Sequence, residues 1–138
     1  MSMTDPLIPV PTPETQPFWD GVESGELRLP RCTDCGGAYF PPSPGCPSCT
    51  SRRTEWITAS GDATLYSYVI NHRPPSGWDS DGPMSVALVR LAEGPMLVST
   101  VVDCEQTPQA LILDMPLRAT FRRFADTDVL CFAPEATR

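Results

Sequence analysis

Lysine is absent from this 138-residue chain, and histidine occurs once, at His72. Without lysine there is no Schiff-base chemistry. With one histidine and no G-x-S-x-G motif, Ser-His-Asp catalysis lacks its parts. No run approaches 18 apolar residues, which argues against a transmembrane helix. No charged-then-apolar signal opens the chain, so a cytoplasmic protein with no membrane association is the expectation. Basic residues number ten, all arginine, against seventeen acids, for a net charge of −7. Phosphate neutralisation supplies most nucleic-acid affinity, so this balance argues against DNA or RNA as the main ligand.

What the chain has in plenty is proline: 17 residues, ten of them before residue 48. The N-terminal third is therefore expected to be irregular, with residues 1–12 a disordered leader. Thr12 reads as an N-cap, Pro13 as the first helical position and Glu14 as a first-turn acid. Phe18, Trp19 and Val22 follow at helical spacing, and Gly25 reads as the C′ residue. A helix over 13–26 is too short to be stable alone, so it must dock through Phe18 and Trp19.

From Glu55 onward the texture is strand-like. Runs rich in Val, Leu, Tyr, Phe and Thr occupy Thr64–Asn71, Ser85–Ala92, Met96–Asp103, Leu117–Phe124 and Val129–Phe132. Glu93-Gly94-Pro95 marks a hairpin, residues 73–84 form a long polar loop holding Trp78, and Gln109–Asp114 fits either a helical turn or a brief strand. Five strands leave unprotected edges unless they close, which points to a small antiparallel barrel. An OB-fold is the leading architecture, with an SH3-like barrel the alternative. The class is mainly β: a helix at 13–26, a rubredoxin-like zinc ribbon at 27–54 and a five-stranded barrel at 55–138.

The ribbon rests on four cysteines. Cys32-Thr33-Asp34-Cys35 is followed ten residues later by Cys46-Pro47-Ser48-Cys49. A Cys-x-x-Cys turn presents two thiolates on one side of a tight loop, and two such turns facing each other complete a tetrahedron around Zn²⁺ at about 2.3 Å. A redox dithiol, two disulfides or an iron centre use the same residues. Four thiolates leave no open coordination position, so the metal would be structural. Cys131 reads as a buried small hydrophobe, and Cys104 has no evident base unless the fold brings His72 near.

Other positions carry weaker signals. His72 and Arg73 end a strand and open the long loop, where binding residues often sit. Asp79 and Asp81 lie in that loop, and a solvated surface accounts for them. Arg118 and Arg122 share a strand face with Thr120 and Phe124. They suit phosphates of an anionic cofactor, a partner's carboxylates or plain solvent equally.

The order of these local sequences resembles one family. A Phe-Trp helix ends in Ser24-Gly25-Glu26-Leu27 and enters Arg31-Cys32-Thr33-Asp34-Cys35-Gly36. Pro41-Pro42 and Cys46-Pro47-Ser48-Cys49 follow. Then come Gly61-Asp62-Ala63-Thr64-Leu65-Tyr66-Ser67-Tyr68, the segment 84–94, and Met115-Pro116-Leu117 leading to Phe121. Over residues 13–134 this resembles the bacterial and archaeal zinc-ribbon plus OB-fold family associated with acyl-CoA enzymes, long catalogued as a domain of unknown function. The resemblance implies a non-catalytic accessory subunit in a hetero-oligomer, with a structural zinc and an acyl-CoA ligand shared with the partner. That partner would be a thiolase-like, lipid-transfer-protein-like chain acting as a steroid side-chain retro-aldolase or an acyltransferase. An enoyl-CoA hydratase partner is the alternative. His72, Arg73, Trp78, Arg118 and Arg122 would be the positions to contact partner or acyl-CoA. Two rival classes remain: a nucleic-acid module stacking bases on Tyr66, Tyr68 and Trp78, and an enzyme using Cys104 or His72.

Overall fold

The computed structural model describes residues 10–73, 82–124 and 127–135. Most of the expected leader, and Trp78, Asp79 and Asp81, lie outside them. Helix α1 spans Gln16–Ser24, and seven strands follow: β1 Arg28–Cys32, β2 Thr54–Thr58, β3 Asp62–Asn71, β4 Met84–Leu91, β5 Met96–Ser99, β6 Pro116–Phe124 and β7 Thr127–Pro134.

The helix starts later than its sequence signals place it. Thr15, not Thr12, is the N-cap, and residues 12–15 close a turn through Thr15 N–H to Thr12 O at 3.0 Å. Pro17 explains the shift. Its missing N–H and its ring are tolerated only in the first turn, so the helix cannot begin a full turn before it. The C-terminus is as expected: Gly25 adopts φ 78°, and Glu26 N–H bonds Gly21 O at 2.7 Å, which completes a Schellman cap. Phe18, Gly21 and Val22 are buried.

Strands β1 and β2 form an antiparallel hairpin with Leu29 opposite Ile57 and Cys32 opposite Thr54. Leu27 and Leu29 point inward beside Phe18 and Val22, and these four continue directly into the barrel core of Leu65, Val89, Leu91, Val101, Leu117 and Phe132. One core therefore serves helix, ribbon base and barrel.

The barrel sheet runs β5-β4-β3-β6-β7, with every neighbouring pair antiparallel. A bulge between Leu65 and Ser67 bends β3. Its first residues, Asp62–Thr64, pair with β6, while β4 follows it to Asn71. The sheet curls until Val101 meets Phe132 in a parallel bridge, held by Phe132 N–H to Thr100 O at 3.0 Å and Val102 N–H to Phe132 O at 2.7 Å. This order, with a parallel closure at one end, is an OB-fold half-barrel. Strand β5 stops at Ser99 rather than Asp103. Residues 100–102 turn toward β7, and Asp103 adopts φ 63°. A single helical turn occupies residues 107–111 and overlaps only the start of Gln109–Asp114, with Leu111 N–H to Thr107 O at 2.9 Å. At the barrel's closed end Ser85 is fully buried. Its backbone N–H bonds Gln106 Oε1 at 2.6 Å, and its Oγ accepts the Val101 N–H at 3.0 Å.

Candidate metal centre and an exposed sheet face

The two Cys-x-x-Cys turns share one backbone design. Gly36 N–H reaches Cys32 O and Thr50 N–H reaches Cys46 O, both at 2.9 Å. Gly36 and Thr50, one residue past each second cysteine, take φ 83° and 64°. Cys35 N–H points at Cys32 Sγ and Ser48 N–H at Cys46 Sγ, both at 3.4 Å. Tyr39 packs beneath as a buried ring, its hydroxyl donating to Ser43 O at 2.9 Å.

All four sulfurs lie within 4.8 Å of one another. The cross-turn pairs Cys32–Cys49 and Cys35–Cys46 are 3.5 and 3.6 Å apart. A tetrahedron with 2.3 Å bonds requires separations of about 3.8 Å, so the cage fits a metal ion with little adjustment. The thiols show the same demand. The backbone N–H of Cys35 foremost lowers Cys32 to about 6, and that of Cys49 lowers Cys46. For Cys49 the Ser51 backbone N–H favours the thiolate, but the Cys32 thiol, burial and the Cys46 and Cys35 thiols together push it up to about 12. Cys35 is raised in the same way, the neighbouring thiols Cys46 and Cys32 overriding the Gly37 backbone. A cation held among the four sulfurs would favour the thiolate form of each. Among the described residues no other group of His, Cys, Asp or Glu side chains converges like this.

The remaining candidates do not assemble into a catalytic set. His72 and Arg73 are exposed at the end of β3, where Arg73 N–H bonds Asn71 Oδ1 at 2.9 Å. Arg118 pairs with Asp62, Arg122 with Asp103 and Arg123 with Asp128, so the β6 arginines already face carboxylates of their own chain. Phe18 is buried, and Trp19 is half-buried edge-on to it at 4.9 Å. Cys104 is half-buried, and burial, then Asp103 and Glu105, raise its thiol above the ordinary range, which makes it a poor nucleophile at neutral pH. Cys131 is fully buried. Tyr66 is exposed but covered on one face by Arg90 at 4.8 Å, and Tyr68 packs on the core.

Sequence reading missed an apolar face on the outside of the sheet. Val69 stands opposite Val86, and Leu88 opposite Val98. Val69 and Val98 are 62% and 69% exposed. Beside them Met84, Val86, Val98, Val129 and Leu130 line a cleft of about 280 Å³ where β5 and β7 diverge. The signal was present. Met84, Val86 and Leu88 are apolar at the outward positions of β4, where a solvated antiparallel strand would alternate with polar residues.

The ChsH2 rubredoxin-like zinc ribbon domain matches residues 19–55, and the ChsH2 C-terminal OB-fold domain matches residues 56–122. A DUF35 domain-containing scaffold protein of Methanocaldococcus jannaschii is 35% identical over 98 residues, covering 70% of this chain and 67% of that one. The chain belongs to the DUF35 family. A second relative is the 3-oxo-4,17-pregnadiene-20-carboxyl-CoA hydratase alpha subunit of Mycobacterium tuberculosis. It is 32% identical over 129 residues, which are 94% of this chain but only 40% of that subunit. Among solved structures, a chain of the Ltp2-ChsH2(DUF35) aldolase superposes with a TM-score of 0.79 at 28% identity, covering 91% of this chain and 98% of that one. A DUF35 protein of unknown function from Sulfolobus solfataricus shares the fold at 19% identity and a TM-score of 0.63. Within this DUF35 chain no described helix is long and apolar enough to cross a membrane.

Proposed function

We propose that this chain is a non-catalytic accessory subunit of a thiolase-like acyl-CoA enzyme, foremost a steroid side-chain retro-aldolase, with an acyltransferase the related possibility. The observation that carries the reading is its near end-to-end correspondence to the DUF35 chain of an Ltp2-ChsH2 aldolase. The residues agree with it. The described side chains offer a closed tetrathiolate and no converging nucleophile, base and oxyanion set. The metal is zinc and structural, since all-sulfur tetrahedral sites suit it and leave no position for substrate. Chemistry then belongs to the partner, and this chain contributes scaffold and a wall of the acyl-CoA channel. The apolar face around Val86 and Val98 is the surface the partner covers. It carries no cationic row, so it is a poor platform for nucleic acid.

Co-expression with a thiolase-like chain tests this. The two should co-purify, and carbon–carbon cleavage of a β-hydroxyacyl-CoA should require both. Chains that purify apart, with a partner fully active alone, would sink the reading. The hydratase subunit relatives favour a second reading, partnership with a hot-dog-fold enoyl-CoA hydratase chain. The same co-expression with such a chain, read by hydration, distinguishes the two.

A further inference from the structure

The metal cage has a protected half and an open half. Cys32 and Cys46, the first cysteine of each turn, are buried, while Cys35 and Cys49, the second, are exposed. A competing ligand reaches the metal from the open half, so departure of the ion starts at Cys35 or Cys49. The open half lies at the seam between the Cys32–Cys35 turn and the chain that leaves Cys49, and the exposed thiolates gain room to leave when the two part.

That seam is crossed by bonds in which no cysteine takes part. Thr33 N–H and Thr33 Oγ1 both donate to Arg53 O, at 2.8 and 2.9 Å. Ser51 Oγ donates to the Asp34 carboxylate, which also faces Arg53 Nε at 3.5 Å. Arg53 N–H donates to Ser51 Oγ at 3.0 Å, which fixes the hydroxyl for Asp34. Asp34 lies immediately before Cys35, and Ser51 and Arg53 lie just after Cys49. We propose that Asp34, Ser51 and Arg53 form a strap over the open half of the centre that sets how fast zinc leaves. They are positioning residues, not ligands. The Arg53 and Asp34 side chains are 81% and 43% exposed, so the pair adds little to global stability. Its effect falls on the opening step.

This rests on the zinc reading above, and the test separates the two. Purified full-length protein is mixed with excess 4-(2-pyridylazo)resorcinol, and zinc transfer is followed by absorbance. Asp34→Ala and Ser51→Ala should release zinc about three to ten times faster than the parent, the range expected for losing one solvent-exposed hydrogen bond of ordinary net strength. Stoichiometry and thermal midpoint should not change. The double variant should be accelerated by less than the product of the two separate effects, because the two residues share one bond. Asp34→Asn keeps an acceptor oxygen and should restore slow release, as should Arg52→Ala, which lies outside the strap. Release at the parental rate in both alanine variants overturns the strap, as does acceleration fully explained by a lower midpoint. A parent protein that carries no zinc overturns the zinc reading itself.

Discussion

The ring of Phe18, on the N-terminal helix, meets that of Phe40, inside the ribbon, edge to face at 5.2 Å. Both also pack on the barrel core, Phe18 at 6% exposure. Helix, ribbon and barrel thus share one aromatic junction. Phe18→Ala should cost about 3–5 kcal/mol, since the cavity opens where three elements converge and none can collapse alone. Urea denaturation should show a lower midpoint with an unchanged slope. A loss under about 1 kcal/mol would mean the helix is not docked as described.

Gly21 lies close against the start of strand β1. A Cβ there would lie 2.8 Å from both Arg28 Cγ and the Glu26 carbonyl oxygen. Arg28 can move, but the Glu26 carbonyl is part of the helix cap and cannot. Alanine favours a helix over glycine by about 1 kcal/mol, yet Gly21→Ala should destabilise by about 1–3 kcal/mol net because the overlap outweighs propensity. Thermal unfolding checks the sign, and a stabilised variant would refute the close approach.

Cys32 closes strand β1 and is also a cage ligand with 0% exposure. Metal analysis should find one zinc per parent chain. Cys32→Ser should bind essentially none, lose ribbon order by NMR and fail to hold the partner. Cys131→Ser, in the barrel core away from the cage, should keep its zinc. A metal-free Cys32→Ser variant that is fully folded and assembled would show that the cage does not organise the partner surface.

Features legible in the sequence were those fixed by neighbours along the chain. The paired Cys-x-x-Cys turns, the Gly25 cap and the Gly94 hairpin each need only a few adjacent residues. The strands of the barrel were visible where one face is buried, as in β4, whose inward Ser85, Ala87, Val89 and Leu91 are all below 3% exposed. Strand β2 was not visible. It buries no residue fully, and its partner Arg28–Cys32 lies on the far side of the metal loop. The β6 arginines looked available because their partners, Asp62 and Asp103, are close only after the sheet has curled. The outer apolar face was hidden by its own composition. Val86, Ala87, Leu88 and Val89 run unbroken through β4 and read as a strand buried on both sides, and only the sheet order shows that, among the described residues, no strand packs on its outer side.

That face yields the sharpest test of assembly. Val98 is 69% exposed and stands opposite Leu88 on the outside of the sheet. Because it is exposed, Val98→Asp should change folding stability by no more than about 1 kcal/mol and leave the zinc in place. In a complex that covers the face, the same carboxylate would be stripped of water against apolar surface with no partner charge. Affinity for the thiolase-like chain should therefore fall about 100-fold or more, measured by calorimetric titration or co-purification. Leu113→Asp, at an exposed site on the loop between β5 and β6, is the matched control and should assemble normally. If Val98→Asp also assembles with parental affinity and activity, the partner does not sit on this face, whatever else it binds.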